Sequence, residues 1–580
     1  MRPIILGRYY PVLAFTATIW SVCVGSPDSS LEHASSVLDV LRNWISNNQT
    51  INSSESVSIV DDDTSVCIIL RHHGKVLGVG TATCMEDNPI AFAAKIAFKE
   101  MRQNATLRNI QPEFRSYAYK SISIELELGD TPIPYPSKNL DRFTSTLNQG
   151  IDGVAVRKGV RWAIRLPSEL RLSPLRNMIT VLESLSITVG VHPAVALSRQ
   201  LPKQDDVTLY TIPTITIIQD REGEKPRRLI RGDELVSVAS VEQFGLLGIA
   251  DLLASHLIIC TSKSGLSIGG YQPETDKLSP PIASLAVQAM IATSLEEYAL
   301  VEGACKADEA RLSATSIFES IAMSVDVDTV ISEEVAAMVV ITLAPNHADR
   351  SERIMNLYAR CRQRIIEVAL AISARESESR KPHIFSMLVA AITAIAIVDG
   401  DADLRTLAKS TCNICLEQVP LESRVSTIPW LTDAILDLRE SGSDISVTPV
   451  IELLDVALSS QVKDGVDEDL LGGFALITPR GKIVDVRGIR MIPMMARLGR
   501  TPQLQTSRSS ILRSLILATR FVTQLTTREQ RSQRFQNPTI ALGGVRAATW
   551  DASMPTEATA MALIGVSRTI EAFRVAAQLH

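Results

Sequence analysis

Aromatic residues are scarce, at 4% of a 580-residue chain. That excludes a broad platform of stacked rings of the kind that grips single-stranded nucleic acid or long sugar chains. Positive charge is not in excess either. The 58 Lys and Arg residues stand against 64 Asp and Glu, for a net charge of −6, so the chain carries no general basic field for a polyphosphate backbone, and nucleic acid is excluded as its main ligand. Eight cysteines are too few for a disulfide scaffold. Cys412 and Cys415 alone form a CxxC, inside a helical pattern where Leu404, Leu407, Ala408 and Cys415 share a face. No histidine lies near enough in sequence to complete a zinc set, so a packed helix is expected there, with no metal and no cofactor. Runs of twenty apolar residues are missing as well, and residues 384–398 read as a buried helix rather than a membrane span. A glycine-rich phosphate cradle, a Gly-x-Ser-x-Gly elbow and a His-Glu-x-x-His pair are all lacking, which disfavours those enzyme classes.

What is present is 46% hydrophobic and 21% charged, enough for several domains with Ala, Leu, Ile and Val cores. Arg2 and Arg8 precede an apolar stretch from Tyr9 to Gly25. The stretch suits an export signal better than a span, and Gly25 and Ser26 are small enough for cleavage. An uncleaved membrane anchor is the competing reading, and Val22 before Cys23 argues against lipid attachment. Three regions follow: a leader over 1–25, an α+β domain over 26–225 and a helical domain over 226–580.

In the second region, Leu31, Ala34, Leu38, Leu41 and Ile45 repeat at helical spacing. A polar stretch over 47–64 contains Asn48 and Asn52, each opening an N-x-S/T triplet, as does Asn104. Residues 66–70 and 75–82 read as a hairpin turning at His73 and Gly74. A helix is expected from Pro89 to about Gln103, with Asn88 near its start. Ile122, Ile124, Leu126 and Leu128 alternate with Ser123, Glu125 and Glu127, which predicts a strand with one wet face. A second hairpin spans 154–166, a β-rich run spans 207–218, and a charged connector spans 220–228.

The succession LRHHGKVLGVGT (70–81), a helix, SISIELELGDTPIP (121–134) and GIDGVAVRKGVRWAIRLPSEL (150–170) resembles the AMMECR-type domain over roughly residues 55–200. In that family the first hairpin normally ends in Arg-Gly-Cys-Ile-Gly-Thr. The matching positions here are Val76, Leu77, Gly78, Val79, Gly80 and Thr81, so the arginine and cysteine are lost and the copy is degenerate. The resemblance implies an α+β fold, and an association of the family with radical and redox modification systems.

From Gly232 onward, twelve amphipathic or apolar segments make six helical hairpins. Gly-Gly pairs recur in the turns at 269–270, 472–473 and 543–544, where glycine relieves strain as a chain reverses. The region resembles the α/α toroids of terpenoid-cyclase-like and glycan-processing proteins. The fold class expected is therefore an AMMECR-like α+β domain followed by an all-α (α/α)6 toroid, with an open helical solenoid as the alternative. A toroid presents its turn loops at one mouth. This places Asp551 and Glu557 as candidate catalytic carboxylates, because glycoside chemistry needs one group to protonate the leaving oxygen and another to activate water or attack. Tyr271, Asp276, Arg546 and Trp550 are candidate substrate-binding residues, and Arg71 and His72 at the first hairpin a candidate anion site. The bland alternatives are a helix cap for Asp551, a space-filling Trp550 and a wet turn for His72. Asp399, Asp401 and Asp403 suggest a calcium loop, but Leu404 and Ser410 stand where glycine and glutamate are needed, so a capped helix start is expected. The expected function is an exported protein of the cell envelope that binds or processes a glycan-like ligand. A non-catalytic scaffold and a redox accessory factor are the alternatives.

Overall fold

The computed structural model describes residues 27–46, 64–173, 177–201, 206–325, 330–345, 350–376, 380–465, 467–478 and 481–578. The leader over 1–25 and the triplets at Asn48 and Asn52 lie outside them.

Thr- and Ile-rich Val207–Gln219 forms a long strand, β7, around which the first unit is built. Its partners are β1 (Ser65–His72), β2 (Lys75–Ala82), β3 (Ser123–Gly129), β4 (Ile133–Tyr135), β5 (Asp152–Lys158), β6 (Arg161–Arg165) and β8 (Arg227–Leu229). The order is β2-β1-β3-β7-β5-β6, with β4 and β8 also paired to β7, every pairing antiparallel. β3 pairs with the C-terminal half of β7, Leu126 opposite Ile217, and β5 with its N-terminal half, Val154 opposite Thr211. The sheet therefore curls about β7. Ile68, Leu70, Ile124 and Ile217 pack under α1 (Pro27–Ser46) and α2 (Pro89–Gln103), whose start Asn88 caps through its side chain. Val154, Val156 and Leu209 pack under α3 (Met178–Thr188).

The predicted wet face of β3 is dry. Glu125 and Glu127 are 6% and 1% exposed, because the helical turn Pro167–Leu172 delivers donors onto them. Ser168 donates its hydroxyl to Glu125 at 3.0 Å and its N–H to Glu127 at 2.9 Å, and Arg171 pairs with Glu125. Buried carboxylates are tolerated when donors meet them, and strand alternation cannot foresee that.

The second unit is helical: α4 (Val238–Ile259, broken at Gly245), α5 (Leu285–Ala299), α6 (Ala307–Ser324), α7 (Glu333–Leu343), α8 (Glu352–Ser373), α9 (Pro382–Asp399), α10 (Ala402–Gln418), α11 (Trp430–Glu440), α12 (Thr448–Ser460), α13 (Met491–Arg500), α14 (Arg508–Leu525) and α15 (Thr556–Gln578). These correspond to the twelve expected segments. α5 packs on α7, α7 on α9, α9 on α11, α11 on α13, α13 on α15, and α15 back on α5. One apolar cluster runs through all of them. α9 is long and apolar enough to cross a membrane by length and composition, yet it is packed among α7, α8, α10 and α11. A helix enclosed on all sides has no need of a polar stripe.

Asp401 caps α10, accepting the N–H groups of Asp403 at 2.7 Å and Leu404 at 3.1 Å, as a capped start requires. Cys412 and Cys415 are buried on that helix, where burial pushes the Cys412 thiol up to about 12 and Cys415 higher still. Among the described residues no group of three His, Cys, Asp or Glu side chains is arranged to hold a metal.

Three connections between consecutive helices share one device. Gly265, Gly472 and Gly543 all have positive φ, and a Cβ on any of them would lie 1.8–2.3 Å from a carbonyl oxygen of another helix: Ser316 on α6, Leu517 on α14 and Leu252 on α4 respectively. No other residue type permits that approach. The last of the three seats the turn before α15 on the first helix of the unit.

Candidate functional site

The two units meet along a polar seam. Ile230 and Asp233 bridge to each other in a tight turn that carries Arg231. The Arg231 side chain is 2% exposed and donates to the Gln149 carbonyl at 2.8 Å, to Asn148 and to Asp469, with Asp467 at 3.1 Å. Asn148 in turn donates to Asp467 at 3.0 Å. One guanidinium thus ties the 144–150 loop of the first unit to the acidic turn that precedes the Gly472–Gly473 pair. Gly150, at φ +80°, lies against Trp550, whose Cβ would sit 2.7 Å from a Cβ at that position.

Between these loops is a cavity of about 810 Å³, within the range of small-molecule sites. The first unit lines it with Thr144, Ser145, Thr146, Asn148, Gln149 and Asn177 among others, and the second with Asp467, Lys482, Asp485, Trp550 and Asp551. Hydroxyls, amides and one indole are the donors, acceptors and platform that a neutral, hydroxyl-rich ligand uses. The cavity carboxylates already have protein donors. Asp485 takes the Arg487 guanidinium on both oxygens, at 3.1 Å on Oδ1 and 2.7 Å on Oδ2. Asp467 is held by Asn148 and Arg231. Asp551 accepts the N–H of Ser553 at 2.9 Å and its hydroxyl at 2.7 Å.

The candidate residues are therefore divided. Trp550 and Asp551 line the cavity together. Glu557 is exposed on the first turn of α15, where a negative charge suits the helix start, and it is not among the lining residues. Tyr271 is 2% exposed, its ring among Phe535, Ala541 and Met554, and its hydroxyl donates to Asp276 at 2.8 Å. These two satisfy each other away from the cavity. Arg546 is fully buried. It donates to the Leu525 and Thr549 carbonyls at 3.3 and 2.9 Å and pairs with Asp233 at 2.7 Å.

Arg71 does meet an anion, but an internal one. It pairs with Glu274 of the second unit at 2.7 Å, both side chains buried. Neighbouring His72 is half-buried, and burial followed by the closeness of His73 lowers its pKa below the usual imidazole value, which disfavours the cationic form at neutral pH.

Sequence reasoning missed Arg231, Asp233, Arg531 and Arg534 at the seam. Asp233 and Arg531 pair across almost 300 positions at 2.7 Å, and no spacing rule spans that distance.

No family model matches the chain, and no curated protein matches it. Among solved structures it is similar to an uncharacterised protein of Pyrococcus horikoshii, at 14% identity and a TM-score of 0.24, over 34% of this chain and 97% of that one.

Proposed function

We propose that this is a two-domain binding protein whose seam cavity takes a neutral, hydroxyl-rich ligand of glycan-like chemistry, and that it binds this ligand without cleaving it. The observation that carries the reading is the pairing of Trp550 with a two-sided cavity of mixed apolar and polar lining whose carboxylates are committed to protein donors. A general acid must hold a proton until the leaving group takes it, and Asp485, bridged on both oxygens by Arg487, is poorly placed to do so. The redox alternative draws no support from the buried thiols, since burial pushes Cys260, Cys361 and Cys412 up to about 12, away from the reactive thiolate.

The reading has three wider parts. The second unit closes as an (α/α)6 toroid: favouring this are the contact of α15 with α5 and the seating of Gly543 on α4. The first unit is a degenerate AMMECR-type domain, a view supported by its hairpin, helix, strand and second hairpin in the quoted order. The chain is exported, on the strength of its basic and apolar leader. N-terminal sequencing of mature protein should then begin near Ser26, and mature protein that retains Met1 in a soluble cytoplasmic fraction would overturn export.

Glycan-array screening followed by calorimetry tests the binding reading. Trp550→Ala should weaken a binding oligosaccharide about tenfold, corresponding to roughly 1.4 kcal/mol of ring contact, while the parent protein releases no product. Turnover by the parent that Asp551→Asn abolishes would replace binding with hydrolysis. Failure of every glycan to bind would remove the proposal.

A further inference from the structure

A second, much smaller cavity of about 10 Å³ lies in the same seam, lined by Arg71, Glu125, Arg171, Gly232, Glu274, Arg531, Arg534 and Phe535. It is built from both units. Gly232 lets Arg171 through, because a Cβ there would lie 1.7 Å from the guanidinium, and Gly74 brings the first hairpin onto the Phe535 carbonyl, 2.0 Å from where its Cβ would be.

Four guanidinium groups line this cavity with only two carboxylates, Glu125 and Glu274. Arg71 has Glu274 and Arg171 has Glu125. Arg531 shares Asp233 with Arg546. Arg534 shares Glu234 with Arg227, and Asp220 is the remaining acid near both. With the buried Glu127, which also acts on Arg171, six guanidinium groups stand against six carboxylates, so the charges balance while donors are left over. Several of their N–H groups meet no protein acceptor among the described residues: Nε of Arg171, Nε of Arg531, and Nε and Nη1 of Arg534. The Arg531 and Arg534 side chains are 5% and 9% exposed, so bulk water does not solvate them freely. Buried charged donors left without acceptors are costly unless an acceptor joins them.

We propose that this cavity is a structural site for a small monatomic anion, chloride, which accepts these unmatched N–H groups and couples the two units. The lining sets the ligand class, because guanidinium N–H groups receive an anion, and the small volume favours a monatomic one over sulfate, phosphate or a carboxylate. Arg171 lines both this cavity and the larger one, whereas Arg71, Arg531 and Arg534 line this one alone.

The test uses the full chain. Its melting temperature is measured as chloride replaces gluconate at constant ionic strength, in the parent and in Arg534→Met, and bromide is soaked into parent crystals. Binding to the folded state alone raises the melting point by mass action. The expected result is a saturable rise on the order of 3 °C in chloride, absent in Arg534→Met, with an anomalous bromide peak among Arg171, Arg531 and Arg534. Identical melting in chloride and gluconate would overturn the site, as would an absence of bromide there at saturating concentration. Should Arg534→Met not fold, the parent titration and the bromide map decide the question by themselves.

Discussion

Asp233→Asn lowers the stability of the folded protein by about 3–5 kcal/mol, the cost of stranding buried charge when one member of a buried ion cluster is removed. The asparagine is nearly isosteric, so the loss is electrostatic. Oδ2 of Asp233 receives Arg531 and Arg546 at 2.7 Å each, and Oδ1 accepts the Glu234 N–H at 2.8 Å. The side chain is 5% exposed and that of Arg546 is fully buried. Burial works to raise the pKa of Asp233, but Arg531, Arg546 and Arg534 together hold it below the usual carboxylate value. A carboxyl with a depressed folded pKa contributes stability above its unfolded pKa, and that contribution disappears as pH falls through the folded value. The parent should accordingly lose stability below about pH 4, and the variant should lack that part of the acid transition. Urea denaturation at pH 7 and pH 3 measures both. Asp220→Asn, at a partly exposed position, serves as the contrast and should cost no more than about 1 kcal/mol. Similar losses for the two variants would mean that the seam is not organised around Asp233.

Glu127→Gln has the opposite sign. Its carboxyl is 1% exposed on β3, with the Thr214 and Thr216 hydroxyls each 3.2 Å from Oε1 and the Ser168 N–H 2.9 Å from Oε2. Burial pushes its pKa up to about 7, against the opposing pull of Arg171 and the Ser168 N–H. A group whose folded pKa lies above its unfolded value favours the fold fully at pH below the unfolded pKa, near 4.5, and that advantage is lost as pH rises through the folded pKa. The parent should therefore weaken between about pH 5 and 8 by a few kcal/mol, on the order of 3 by linkage. Glutamine cannot ionise, and either amide orientation leaves an oxygen for one set of donors. The variant should lack that part of the slope across the window and exceed the parent at pH 8. A parent and a variant with parallel pH profiles would show that Glu127 does not titrate there.

The two residues also mark where sequence reading succeeds and where it stops. The helices of the second unit were legible because each buries a stripe or a whole surface, and the 3.6-residue period records it. Trp550 and Asp551 were legible as loop residues beyond a Gly-Gly turn, since such loops gather at one end of a set of hairpins. α3 escaped notice because Met178–Thr188 is short and apolar with little periodic contrast, and a short apolar run reads equally as strand or helix. Glu125 and Glu127 were assigned to water because polar alternation in a strand ordinarily means solvent. Their donors come from Ser168 and Arg171, forty or more positions away. Tyr271, Asp276 and Arg546 were found in the right turns, but contacts within the second unit had already engaged them. A sequence shows which groups can bond. It does not show which of them the fold has already taken.

The seating of Gly543 against Leu252 has a consequence for how the chain is made. α4 ends at Ile259 and α15 begins at Thr556, so about 300 residues separate the two sides of that contact. At a synthesis rate of roughly 5–20 residues per second, the first helix waits on the order of 15–60 s for its final neighbour. During that interval the apolar side of α4 that α15 will cover has no native cover, which makes the nascent second unit a natural client for a holding chaperone until its last hairpin arrives.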